Sequence, residues 1–134
     1  MWIMLTDSSL SIVSDTRNPG RLMVRARAAG DIEKVFPNAI VTETPNGDYR
    51  WRTTLSRRIV SEALTAEIKK IGYPNFKAAV PNNARHDAYM QCWSAMRDFQ
   101  RRLIDMGSLN VTRAYQKAQD EPAEALNNEI AEKP

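Results

Sequence analysis

The segment Asp48-Tyr49-Arg50-Trp51-Arg52-Thr53-Thr54 alternates aromatic and cationic side chains. In an extended strand successive side chains leave opposite faces, so Tyr49, Trp51 and Thr53 share one face while Arg50 and Arg52 share the other. Ser56-Arg57-Arg58 follows, which puts four arginines within nine residues. The chemistry open to such a segment is recognition. Guanidinium forks match carboxylates and phosphates, and aromatic faces stack on bases. The expected binding set is Arg50, Arg52, Arg57 and Arg58, joined downstream by Lys69, Lys70, Lys77 and Arg85. Tyr49 and Trp51 are the stacking candidates. The glycine and paired aromatics of an RNA-binding RNP1 strand are absent. A half-buried strand more commonly turns its aromatics to the core, leaving an arginine-lined open face.

Other chemistry has fewer supports. Asn82-Asn83-Ala84-Arg85-His86-Asp87-Ala88-Tyr89 holds the sole histidine at the start of a helical pattern. His86 and Arg85, with Lys77, are the groups that a small cofactor-free nuclease-like enzyme would use for acid–base work. No second acid or base is marked, so no catalytic residue and no enzymatic activity are expected. One His and one Cys cannot make a zinc site, and no EF-hand loop or Asp-x-Asp cluster exists. The five glycines stand far apart, at 20, 30, 47, 72 and 107, so no phosphate loop forms. The expectation is no metal and no cofactor.

Charge is segregated along the chain. Residues 1–49 carry a balance of −1, residues 50–102 a balance of +7, residues 103–117 +1, and residues 118–134 a balance of −4. A basic middle third can meet phosphates or an acidic protein surface. No apolar run approaches the roughly 18 residues needed to span a bilayer, and Met1 to Asp7 has no secretory pattern. A single cysteine fits a reducing compartment. The expected location is cytoplasmic, with no membrane partner.

The elements that must position these groups can be read from periodicity and punctuation. Trp2 to Leu5 and Leu10 to Val13 read as strands joined by a hairpin at Thr6-Asp7-Ser8-Ser9. Arg21 to Arg27 alternates, with Leu22, Val24 and Ala26 opposite Met23, Arg25 and Arg27. Asp31 is expected to cap a short helix that Pro37 closes. Ala39 to Glu43 should pair through Asn46-Gly47 with Tyr49 to Thr54. Ser56 caps a helix with the stripe Val60, Leu64, Ile68 and Ile71, and Gly72 ends it. Phe76 to Val80 is expected to be a short edge strand. Asn82 or Asn83 opens the longest helix, whose stripe Tyr89, Cys92, Trp93, Met96, Phe99, Leu103 and Met106 predicts a core face and a buried thiol; Gly107 is expected to close it. Part of that stripe could face a second copy, which makes the helix Asn83 to Met106 a candidate homodimer surface.

The predicted fold is α+β: an antiparallel sheet with an N-terminal hairpin, a ferredoxin-like βαββαβ order, and two main helices on one face. One domain is expected over residues 1–117, with a flexible acidic tail over 118–134.

The stretches Gly30-Asp31-Ile32-Glu33-Lys34-Val35-Phe36-Pro37 and Tyr73-Pro74-Asn75-Phe76-Lys77, with Arg85-His86-Asp87-Ala88-Tyr89, resemble those of a group of small proteobacterial and phage-borne proteins. That resemblance implies a mobile-element context, in which compact α+β proteins such as anti-CRISPRs inhibit host machinery by binding it. The function expected is therefore non-catalytic docking on a host protein or nucleoprotein complex through a basic surface. Direct RNA or DNA binding is the alternative, and the His86 enzyme stands third.

Overall fold

The computed structural model describes residues 1–120, and the tail expected from residue 118 lies, from Glu121 onward, outside them. Five strands form one antiparallel sheet: β1 (Trp2–Met4), β2 (Ser9–Ser14), β3 (Arg21–Ala26), β4 (Thr42–Glu43) and β5 (Trp51–Ser56), in the spatial order β1-β2-β3-β5-β4. Three α-helices accompany it: α1 (Asp31–Val35), α2 (Arg57–Lys69) and α3 (Asn83–Asp120). The chain divides into two units, Met1–Met90 and Gln91–Pro134, so α3 gives its first two turns to the first unit and the rest to the second.

The class is α+β with an antiparallel sheet, as the patterning predicts. The ferredoxin-like order is not present. All four pairings are antiparallel, and the segment expected as the last strand, Phe76 to Val80, forms a 3₁₀ turn over Lys77–Ala79. The cause is local. The Asn75 side chain accepts from the Lys77 backbone N–H at 3.0 Å, Pro74 and Pro81 bracket the segment, and Phe76 stacks on Tyr89 with ring centroids 5.7 Å apart. An Asx-capped turn between two prolines offers no row of donors for a sheet edge.

One sheet face builds the core of the first unit. Leu10 and Ile12 of β2, Val24 and Ala26 of β3, Ile32, Val35 and Phe36 at α1, and Val60 of α2 are buried together. Leu22, Trp51 and Leu55 pack against them from the same face, as cross-strand partners Leu22–Leu55 and Ala26–Trp51 require. Trp51 is therefore a core-side residue. α2 opens as predicted, the Ser56 hydroxyl accepting from the Ile59 N–H at 3.3 Å. α1 opens differently. Gly30 is the cap residue, at φ +81°, a left-handed conformation that glycine adopts without strain. Asp31 instead begins the helix and is buried, 1% exposed.

That burial is explained by the first turns of α3. Arg85 grips Asp31 with two parallel bonds, Nη2 to Oδ1 at 2.7 Å and Nη1 to Oδ2 at 3.0 Å. Asp31 Oδ2 also accepts from the Ser9 backbone N–H at 2.9 Å. Tyr89, one helical turn beyond Arg85, donates its hydroxyl to the carbonyls of Ser8 at 2.9 Å or Leu5 at 3.0 Å. A buried polar clasp thus ties the β1–β2 hairpin, α1 and the start of α3 together. Bidentate charge-assisted bonds of this kind are strong and set geometry as well as energy.

α3 does not stop at Gly107. It continues to Asp120, since a mid-helix glycine costs only about 1 kcal/mol against alanine, and Leu103 and Met106 before it and Leu109, Arg113, Ala114, Gln116 and Lys117 after it favour the helix. Its stripe is not core beyond Tyr89: Trp93, Met96, Phe99, Leu103 and Met106 are exposed, and so is Cys92, against the expectation of a buried thiol.

Candidate binding surface

Neither α1 nor α2 packs on the second face of the sheet, and β3 and β5 deliver arginines to it. Cross-strand partners share a face, so the row Trp2–Ser11–Arg25–Arg52–Thr42 runs across all five strands on this side. Val13, Met23 and Thr54 form the neighbouring row. Trp2 is 74% exposed, and Met4 stands two residues along on the same face. The surface is mixed: an exposed indole and a thioether at one edge, cations toward the middle.

Arg25 and Arg52 are directly opposed on adjacent antiparallel strands, an arrangement that like charges destabilise. Local bonds offset part of that cost. Arg25 Nη2 donates to Ser11 Oγ at 2.8 Å, and its guanidinium lies over the Tyr49 ring at 4.5 Å. Arg27 sits over the same ring at 4.3 Å and donates to the Asp48 carbonyl at 2.6 Å. Arg52 reaches the Asp48 carboxylate at 3.0 Å and the Tyr49 carbonyl at 3.0 Å. Asp48 is the one carboxylate bonded to this trio among the described residues, so the corner keeps a surplus of two positive charges. Arg25 Nε is buried with no hydrogen-bond partner among the described residues. The like-charge pair retained on this face favours an incoming anion.

Tyr49 reaches this corner because β5 begins only at Trp51. Strict alternation from residue 48 would send Tyr49 to the core side with Trp51. The irregular backbone before Trp51 breaks that parity, and Tyr49 lies buried beneath Arg25 and Arg27 instead. Neither Tyr49 nor Trp51 presents a free ring to a base. Trp2 does, and it was not among the stacking candidates.

The sequence-expected cations do not converge on one patch. Arg52 lies on the open face. Arg50 is paired with Glu43 at 2.6 Å, Arg58 with Glu62 at 2.9 Å and Lys70 with Glu67 at 2.6 Å. Arg57 donates to the Pro19 carbonyl at 3.2 Å. These local partners relieve the unfavourable placement of Arg57 and Arg58 at a helix N-terminus. Lys69 is exposed in the last turn of α2, Lys77 begins the 3₁₀ turn, and Arg85 is committed to Asp31. Arg25 and Arg27, which complete the trio, were legible only as the polar side of β3. The signal that could have found them is that β3 and β5 both place arginine on their polar faces.

Two other places were candidates for chemistry. His86 Nδ1 lies 3.4 Å from the carboxylate of its neighbour Asp87, and Arg85 beside it is held in the clasp. A groove of about 540 Å³ runs between β1, α1 and α2, lined by Ile3, Leu5, Leu64, Ile68 and Ile71. Its rim charges are engaged: Lys70 with Glu67, and Lys34 with the Asp7 carbonyl. Among the described residues no group of three His, Cys, Asp or Glu could hold a metal ion, and no helix is long and apolar enough to cross a membrane.

No protein-family model, no curated protein and no solved structure matches the chain. The functional reading therefore rests on the geometry of the open face.

Proposed function

We propose that this protein is a non-catalytic binding protein that docks on an acidic protein or nucleoprotein surface through the open face of its sheet. The observation that carries the reading is the opposed pair Arg25–Arg52, joined by Arg27 on an uncovered face and flanked by exposed Trp2. Positive charge fixed by stacking and local hydrogen bonds loses little entropy when it meets an anion. An exposed indole beside it supplies apolar contact area of the kind that anchors interfaces. A defence inhibitor of the sort carried by mobile elements is the form of this role that the sequence resemblance favours. Direct binding of single-stranded nucleic acid is the second reading, supported by the same Trp2, whose free ring could stack on a base while Arg25 and Arg52 meet phosphates.

The test is affinity capture from cell extract with the wild-type chain and with the double variant Arg25→Gln/Arg52→Gln, each with and without nuclease. The expected result is a specific complex, retained at low salt and lost with the variant. Survival of the complex after nuclease treatment supports a protein partner, and its disappearance supports the nucleic-acid reading. Equal capture by wild type and variant would remove the open face from the account.

A further inference from the structure

We infer that the second unit is a self-association element: two copies of α3 pair as a parallel, in-register coiled coil over residues 92–110. The exposed residues Cys92, Met96, Phe99, Leu103, Met106 and Asn110 follow one another at spacings of four, three, four, three and four. That is a 3.5-residue repeat, the seam of a left-handed two-helix packing rather than the broader stripe of a helix laid on a sheet.

The size of the surface fits a second copy. At about 200 Å² for each large side chain when fully exposed, the uncovered fractions of Trp93, Met96, Phe99, Leu103, Met106 and Leu109 amount to roughly 600 Å². This reaches the top of the range for the largest patch on a typical monomer and approaches the ~800 Å² that each partner contributes to a standard interface. The stems of Gln100 and Arg102, which flank the seam, supply further area.

Orientation follows from two residues. Taking Cys92, Phe99 and Met106 as d positions and Met96 and Leu103 as a positions, Asn110 falls at a. A single asparagine at that position specifies register, since it is satisfied by its own copy and by nothing apolar. Arg102 falls at g. In the parallel pair it faces the glycine at position 107 of the other helix. In the antiparallel alignment that sets Met96 against Met106 and Phe99 against Leu103, Arg102 would face Arg102, a like-charge contact. The repulsive element opposes the wrong arrangement, as specificity in such pairs requires.

The sole cysteine supplies the test, because facing d positions in a parallel pair bring the two Cys92 thiols together. Sedimentation equilibrium of the reduced full chain should give a dimer at tens of micromolar. Mild oxidation with diamide should then convert it to a disulfide-linked species of twice the chain mass on a non-reducing gel. Moving the thiol to the outer face, as Cys92→Ser/Arg101→Cys, should abolish that species while the dimer persists. Met96→Glu/Leu103→Glu should weaken association at least a hundredfold, with unchanged thermal unfolding of the first unit reported by tryptophan fluorescence in a Trp93→Phe background, where Trp2 and Trp51 are the probes. A wild-type chain that is monomeric at these concentrations would overturn the inference. So would a dimer that survives both glutamates, or one that cross-links from position 101 as readily as from position 92.

Discussion

Arg85→Ala is expected to destabilise the first unit by roughly 3–5 kcal/mol, the cost of leaving one partner of a buried ion pair without the other. Asp31 is 1% exposed and receives both arms of the guanidinium, so truncation leaves its carboxylate with the Ser9 N–H at 2.9 Å, the Ser9 hydroxyl at 3.4 Å and a distant Lys34 amine at 3.9 Å. Arg85→Lys should recover little, because an ammonium cannot reproduce the two parallel bonds. The informative control is Asp31→Leu/Arg85→Met. Removing both charges together should cost far less than Arg85→Ala alone, since the penalty is for the unpaired charge. Urea unfolding followed by tryptophan fluorescence measures all four proteins. A loss below 1 kcal/mol for Arg85→Ala would show that the clasp is not structural.

The clasp should bring no pH dependence near neutrality through Arg85. Burial alone would lower its pKa, but hydrogen bonds to Asp31 and Tyr89 and the charge of Asp31 outweigh that and leave it raised. A cation with a raised folded pKa contributes stability that is complete below its unfolded value and is lost only as pH rises through the folded one. For arginine that window lies far into the alkaline range.

Ile32→Ala is the second large effect, expected to cost about 2–5 kcal/mol through lost burial and the cavity left behind. Ile32 is fully buried at the centre of the core cluster. α1 has five residues, too few to persist without tertiary anchors, and Asp31 and Ile32 are its two most buried side chains. Because they are adjacent and share one short helix, their combined change should fall short of the sum of the single changes. The measurement is the shift of the urea midpoint with the slope retained. A loss under 1 kcal/mol would mean that α1 is held by other contacts.

Local patterning made much of the architecture legible. The alternation of Leu22, Val24 and Ala26 against Met23, Arg25 and Arg27 marked β3 and its two faces correctly, and Ser56 marked the start of α2. What escaped depended on partners far along the chain or on small breaks in periodicity. Asp31 and Arg85 are separated by 54 residues, and no spacing links them. Arg85 did carry one clue, a cation in the first turn of a helix, where the helix dipole disfavours it. Tyr49 changed side because the backbone from Gly47 to Arg50 is bent before β5 begins, and a one-residue loss of alternation moves a side chain to the other face. Gly107 reads as a stop in isolation but carries no left-handed conformation here, and α3 runs through it. The apolar stripe of α3 reads as core by period alone. Only its exposure, together with the 3.5-residue spacing, separates it from a face for the sheet.

The candidate surface was half legible for the same reason. Arg52 is visible in its own strand's alternation, whereas Arg25 and Arg27 come beside it only through the pairing of β3 with β5. Arg50, Arg58 and Lys70 were equally basic on paper but answer to carboxylates within seven residues of themselves.

The most direct test of the open-face account is site-specific photo-crosslinking of the captured complex. A photoreactive residue is placed at position 23, in the middle of the open face, or at position 66, on the exposed side of α2. Docking through the sheet predicts strong attachment of the partner from position 23 and none from position 66. Attachment from position 66 with none from position 23 would contradict it.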